Sequence, residues 1–175
     1  GFRVNPALTT GLEGSGSFNT YDQSDFLNNS TGYSAGLYGD WHPGHYTEVQ
    51  LRGGYTEYFF EQTSPTLPAV NQDAWYVGLT ANQDITEAIS YSLSAGHQLT
   101  LGIQSDSVED WYVRSSINWK FFKDLTFSTS FGYENGTQTL ATQPPSSELY
   151  NWLWVGLGAH YGLTKRLTLG LTYRL

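Results

Sequence analysis

Long runs that alternate strictly between apolar and polar residues constrain this chain more than any other feature. Across 88–103, Ile89, Tyr91, Leu93, Ala95, Leu99 and Leu101 fall on one parity, and Ser90, Ser92, Ser94, Gly96, Gln98 and Thr100 on the other. A period of two means a β-strand with one apolar and one polar face. The pattern recurs over 108–121, 124–134 and 150–163. In the closing run, Leu167, Leu169, Leu171, Tyr173 and Leu175 oppose Arg166, Thr168, Gly170, Thr172 and Arg174. Stretches 33–41, 46–60 and 73–83 follow it less cleanly, and 7–20, rich in Gly and Ser, follows it least. Nine strands are expected. Good helix formers are scarce, and Gly, Ser, Thr and aromatics interrupt every candidate helix.

Most of these runs span 10 to 15 residues, about twice the usual globular strand. At about 3.3 Å per residue and a tilt near 45°, ten residues cross the hydrocarbon layer of a bilayer. The connections alternate in length. Short ones are expected at Pro43-Gly44, 84–87, 122–124 and Thr164-Lys165, and long ones at 22–32, 61–72, 103–109 and 135–149. In a meander of hairpins, alternate connections lie at the same end, so one rim has tight turns and the other long polar loops. Membrane-spanning barrels show that asymmetry. Charge follows the same axis. The long connections and their edges carry Asp22, Asp25, Glu61, Asp73, Asp106, Glu109, Asp110 and Glu148, whereas Lys120, Lys123, Lys165 and Arg166 sit at the short-turn end. This reads either as solvated loops of an acidic protein or as an acidic outer rim that favours cations.

Composition sharpens the choice. Only 14% of the 175 residues are charged, against about a quarter in soluble domains, yet mean hydropathy is slightly negative at −0.39. A soluble barrel would turn its apolar parity inward and need Lys and Glu in quantity on the outside. Here the polar parity is mostly Ser, Thr, Gly, Asn and Gln, which suits a crowded hydrated lumen. No apolar run approaches the length of a transmembrane helix. The formal net charge of −8 argues against a nucleic-acid partner. With no cysteine, disulfides, thiolate metal sites and cysteine nucleophiles are excluded. The chain opens on Gly1 without a charged-then-apolar leader, so either a signal peptide has been removed or the chain is a fragment.

On the apolar parity, aromatics gather toward the strand ends: Tyr33, Trp41, Tyr55, Phe59, Trp75, Trp111, Trp119, Phe121, Tyr133, Tyr161 and Tyr173. Rings flanking aliphatic middles are expected at lipid headgroup depth; aromatic β-propensity alone is the competing explanation. Glu57 shares that parity and fits only at or above the interface. The closing stretch NWLWVGLGAHYGLTKRLTLGLTYRL resembles the strand, tight turn, strand of Gram-negative outer-membrane β-barrels of the porin type. ISYSLSAGHQLTLG and LTFSTSFGYENG are similar in style. Leu171, Tyr173 and Leu175 resemble the C-terminal insertion signal of that family, although the signal usually finishes in an aromatic and this chain ends on Leu175. The resemblance implies residence in the bacterial outer membrane and assembly by the barrel-insertion machinery.

The expected fold class is therefore all-β: an antiparallel up-and-down transmembrane β-barrel of nine to ten strands, one domain over 1–175. Such barrels have an even strand count with both termini at the periplasmic, short-turn side. Nine strands would break that rule. Either residues 1–6 form a poorly patterned strand, a tenth strand is absent from this chain, or another chain completes the wall. The lumen-facing charges are Glu13, Asp40, Glu48, Arg52, Arg114, Lys120, Glu134, Arg166 and Arg174, with Glu48 and Arg52 close enough in sequence to neutralise each other. Inward Tyr38, Tyr76, Tyr112, Trp152 and Trp154 fill much of a lumen this small, and inward glycines ease its curvature. The expected function is a small channel or a membrane scaffold for partner proteins, with no catalytic residue, cofactor or metal. The partners are the bilayer, lipopolysaccharide and the insertion machinery.

Two other classes stay open. One is a soluble β-barrel or sandwich that binds carbohydrate through Trp and Tyr. The other is an outer-membrane hydrolase or acyltransferase built on His97 with Asp106 or Asp110, which would need His97 to face inward and bond an acid. By parity His97 is a snorkelling interfacial ring. His42 and His45 bracket Pro43-Gly44 as two turn histidines, a pair that could also chelate a metal.

Overall fold

A computed structural model describes residues 1–20, 29–61, 71–101, 107–140, 146–164 and 167–175. Ten strands run β1 (Phe2–Asn5), β2 (Leu8–Asn19), β3 (Asn29–Gly44), β4 (Thr47–Glu61), β5 (Gln72–Thr86), β6 (Ile89–Leu101), β7 (Ser107–Phe122), β8 (Leu125–Leu140), β9 (Ser146–Thr164) and β10 (Leu167–Arg174). They form one antiparallel up-and-down sheet in which each strand pairs with its neighbours in sequence. The alternation read from the sequence is what makes this possible. Residues paired directly across strands share a face, so one parity per strand builds one continuous apolar face and one polar face. Hydroxyls pair across strands on the polar face, Ser15 with Ser34 at 2.7 Å and Ser92 with Ser116 at 2.8 Å.

The short connections lie at one end, and backbone bonds stitch them together there: His42 N–H to the Ala7 carbonyl, Asp84 N–H to Tyr46, Lys120 N–H to Ala88 and Gly162 N–H to Asp124, all at 2.7–2.8 Å. The eight central strands are 12 to 19 residues long.

Of the alternatives for the strand count, the first holds: residues 2–5 form a tenth strand, paired with Leu8–Thr10. Other expectations need correction. Residues 135–149 are mostly strand rather than loop, because β8 continues to Leu140 and β9 begins at Ser146. Asn135-Gly136 suggests a turn by local propensity, but both residues pair on either side, with Trp111 and Asp110 in β7 and Asn151 and Tyr150 in β9; cross-strand pairing overrides the local preference. The short turn between β3 and β4 is His45-Tyr46, not Pro43-Gly44, since Gly44 pairs with Thr47 past a bulge.

Nor does the sheet close into a barrel. Among the described residues, β1 pairs only with β2 and β10 only with β9. Both edge strands are short and sit toward the short-turn end. Residues 11–19 of β2 and 147–154 of β9 therefore have a strand on one side only. Ten strands put Gly1 and Leu175 on the same side, as an even count must, but both point toward the long-connection rim. The reason is that the first connection, Pro6-Ala7, is a short one.

Candidate functional site

The polar face carries the chemistry, and register places the expected lumen charges on it. One row of directly paired residues reads Thr9, Asp40, Gln50, Thr80, Ser94, Arg114, Gly132, Trp154. The next reads Gly11, Tyr38, Arg52, Gly78, Gly96, Tyr112, Glu134, Trp152. Above it run Glu13, Gly36, Gly54 and Tyr76. Glu48 shares a row with Arg174 through Asn82, Ser92, Ser116, Ser130 and Gly156. Lys120 pairs with Thr126, which pairs with His160. Arg166 lies outside the described residues.

These rows hold a repeated device that composition alone does not reveal. Tyr76 pairs with Gly54, and its hydroxyl passes over Gly54 and Gly36 to donate to Glu13 Oε1 at 2.6 Å, three strands away. Tyr112 pairs with Gly96 and lies over it toward Gly78 and Arg52. Trp154 covers Gly132, and Tyr38 and Tyr58 cover their partners Gly11 and Gly32. In each case the aromatic leans toward the earlier strand, and only glycine leaves room for it. Aromatic cover of strand glycines pins register and restores packing that glycine loses. The inward glycines thus seat aromatic rings, a role beyond easing curvature. The pairing of Gly54 with Tyr76 depends on the register between β4 and β5, which a long connection joins.

The polar face is the concave one. Tyr38, Tyr76, Tyr112 and Trp154 are part-buried although no second layer covers the sheet, Trp152 is exposed, and residues from β2 through β7 line one cavity of about 390 Å³. Arg114 donates from Nε and Nη2 to Glu134 Oε1 at 3.0 and 2.7 Å, neutralising a carboxylate whose side chain is 12% exposed. The Arg174 guanidinium lies 3.9 Å from the Trp154 ring centre and 4.9 Å from that of Trp152. Arg52 does not pair with Glu48 as its spacing suggested. Its Nη2 donates to Gln50 Oε1 at 2.6 Å, and Glu48 lies 3.8 Å from His42. Among the described residues no group of three potential metal ligands occurs.

The apolar face carries the expected ring clusters, one toward each end. At the long-connection end Tyr33 meets Phe59 at 6.3 Å and Trp75 meets Trp111 at 5.5 Å, and the Tyr55 hydroxyl donates to Asp73. At the short-turn end Trp119, Phe121 and Phe127 meet edge to face or tilted. Trp41 and Tyr161 lie near the short-turn ends of β3 and β9, and Tyr133 lies in the loop-side half of β8. Glu57 pairs with Tyr33 and Asp73 near the long rim. Leu171 and Tyr173 belong to the outer edge strand, which runs from the short-turn end toward the long rim, and Leu175 follows it, its backbone bonded to Val155.

His97 is buried rather than snorkelling, at 5% exposed. Its ring stacks on Trp75 at 4.1 Å and tilts against Trp111 at 5.0 Å. Nδ1 lies 2.8 Å from the Trp75 carbonyl and Nε2 3.2 Å from Glu109 Oε1. The acid it meets is Glu109 of the long-connection edge, in place of the Asp106 or Asp110 that the sequence suggested. Asp110 pairs with Gln98 on the opposite parity, and Asp106 lies outside the described residues. His97 also marks where the β5–β6 ladder stops: pairing begins at Val77 with His97, although β5 starts at Gln72 and β6 continues to Leu101. The imidazole takes up the Trp75 carbonyl where the two strands part.

Comparison with known proteins finds no matching protein-family model and no matching curated relative.

Proposed function

We propose that this chain is a membrane-embedded wall of an outer-membrane β-barrel of the porin type, its concave polar face lining a water-filled lumen. One observation carries the reading. Among the described residues, 35 large hydrophobic side chains are exposed, Leu12 at 82% and Leu171 at 75% among them, while the buried hydrophobic core is Ala74 and Leu99 alone. Water cannot solvate so large a contiguous apolar face; soluble monomers expose patches of only a few hundred Å². A bilayer can. Aromatic clusters toward both ends, strands of membrane-crossing length and a long and a short rim support the same reading.

Hydrocarbon tolerates no unpaired strand edge. The reading therefore requires the edges at β1–β2 and β9–β10 to pair in the membrane, with each other or with further strands. The bilayer and lipopolysaccharide are then the surrounding partners, and insertion falls to the outer-membrane assembly machinery. Planar-bilayer recording of the purified protein tests the channel function. Stepwise conductance is expected once it inserts. Liposome-inserted protein that leaves the bilayer silent would overturn the channel function and favour a scaffold, consistent with the Tyr76–Glu13 and Arg114–Glu134 contacts that crowd the lumen.

A further inference from the structure

The 390 Å³ cavity on the concave face has an uneven lining that selects among solutes. Its charged members are Glu13 and Arg52, one of each sign. Elsewhere on this face opposite charges cancel, as Arg114 and Glu134 do. Glu13 and Arg52 do not. Among the described residues neither forms an ion pair; Glu13 Oε1 accepts from the Tyr76 hydroxyl, and Arg52 donates to the amide oxygen of Gln50.

Register explains why they stay apart. Glu13 aligns with Gly54, so Arg52 lies two strands away and two residues lower. That is about 12 Å between Cα atoms at ordinary strand spacings.

The far wall carries an aliphatic patch, Val77 and Leu99, set among the polar His97, Gln98 and Thr100, for a reason visible in the ladder. Where β5 and β6 part above Val77 and His97, Val77 and Leu99 reach the cavity although they belong to the apolar parity. A separated cation and anion on one side and the Val77–Leu99 patch on the other complement a dipolar molecule with an apolar substituent. Two residues of extended chain span about 7 Å, and a cavity of this volume sits at the lower end of ligand pockets.

Resting on the channel reading, we propose that this cavity is a subsite for a small zwitterionic peptide, a dipeptide with an apolar side chain. Its carboxylate meets Arg52, its ammonium meets Glu13, and its side chain lies against Val77 and Leu99. Arginine suits the carboxylate through paired N–H donors.

Isothermal titration of the full chain in nonionic detergent with glycyl-leucine, N-acetyl-glycyl-leucine and glycyl-leucinamide tests this. Saturable binding of the free dipeptide is expected, with each blocked analogue weaker by about tenfold or more, since each loses one charge-assisted contact. Glu13→Gln should abolish discrimination against the N-acetylated analogue only, and Arg52→Gln discrimination against the amide only. Equal binding of all three ligands, or no saturable heat, overturns the subsite, and the wild-type comparison decides this even if a variant misfolds. A protein that conducts but fails the titration keeps its wall and loses the subsite. One that binds glycyl-leucine selectively but never conducts loses the channel instead.

Discussion

Leu79→Arg is expected to lower the stability of the bilayer-inserted protein by about 2–4 kcal/mol, the cost of an arginine on the lipid face near mid-membrane. Leu79 is the eighth residue of the fifteen in β5 and points out of the apolar face, where it is exposed. Its neighbours in register are Leu51 and Ala95, with Val113 beyond. Thr80→Arg, one residue along the same strand, places the same charge on the concave face beside Gln50 and Ser94. That change should cost less than about 1 kcal/mol, because water or neighbouring hydroxyls solvate the guanidinium there. Denaturant titration in liposomes, followed by tryptophan fluorescence, gives both values. If the apolar face met water, the order would reverse: Leu79→Arg would be nearly silent and Thr80→Arg the more disruptive.

The second large effect concerns the glycines beneath the aromatic rings. A Cβ on Gly54 would fall 2.6 Å from both Gly36 Cα and the Tyr76 hydroxyl, and inside contact distance of the Ala35 carbonyl. One on Gly96 would crowd the Val77 carbonyl and sit 2.9 Å from the Tyr112 hydroxyl. In both places backbone must move, so Gly54→Ala and Gly96→Ala should each destabilise by about 1–3 kcal/mol, the usual cost of overpacking. Gly14 is the control. Its nearest neighbour to an added Cβ is the Ser34 carbonyl at 3.6 Å, so Gly14→Ala should be neutral or stabilising by up to about 1 kcal/mol through reduced freedom of the unfolded chain. Thermal or denaturant midpoints of the three variants separate the outcomes. A destabilised Gly14→Ala with unaffected Gly54→Ala would contradict the packing account.

How far the sequence foretold this arrangement depends on which interaction decides each feature. Alternation is local, and it placed the long strands and the two faces, because a period of two leaves no choice about which residues share a side. Strand ends were less legible. Asn135-Gly136 lies in β8 because partners on both sides hold it extended, and nothing in the dipeptide announces those partners. Phe2–Asn5 carries too few residues to show a period, and only its pairing with Leu8–Thr10 makes it a strand. Closure was not legible at all, since it depends on what meets the two edges.

The site divides the same way. Parity alone put Glu13, Arg52, Arg114 and Glu134 on one face. Which charges pair required the register between strands: Arg114 meets Glu134 across one ladder, whereas Arg52 turns to Gln50. His97 was misjudged for a related reason. Its parity pointed outward, as found, but the parting of β5 from β6 draws its ring between Trp75 and Trp111 instead of leaving it in the interface.

The central claim is that the apolar face lies against lipid. Spin labels placed one at a time on successive positions from Tyr112 to Trp119 of β7, in liposome-inserted protein, test it most directly through accessibility to oxygen and to a water-soluble nickel chelate. The account predicts a two-residue alternation, with Val113, Ser115 and Ile117 favouring oxygen and Arg114, Ser116 and Asn118 favouring nickel. Uniform nickel accessibility along both parities, or protein that stays in the aqueous phase without detergent, would contradict it.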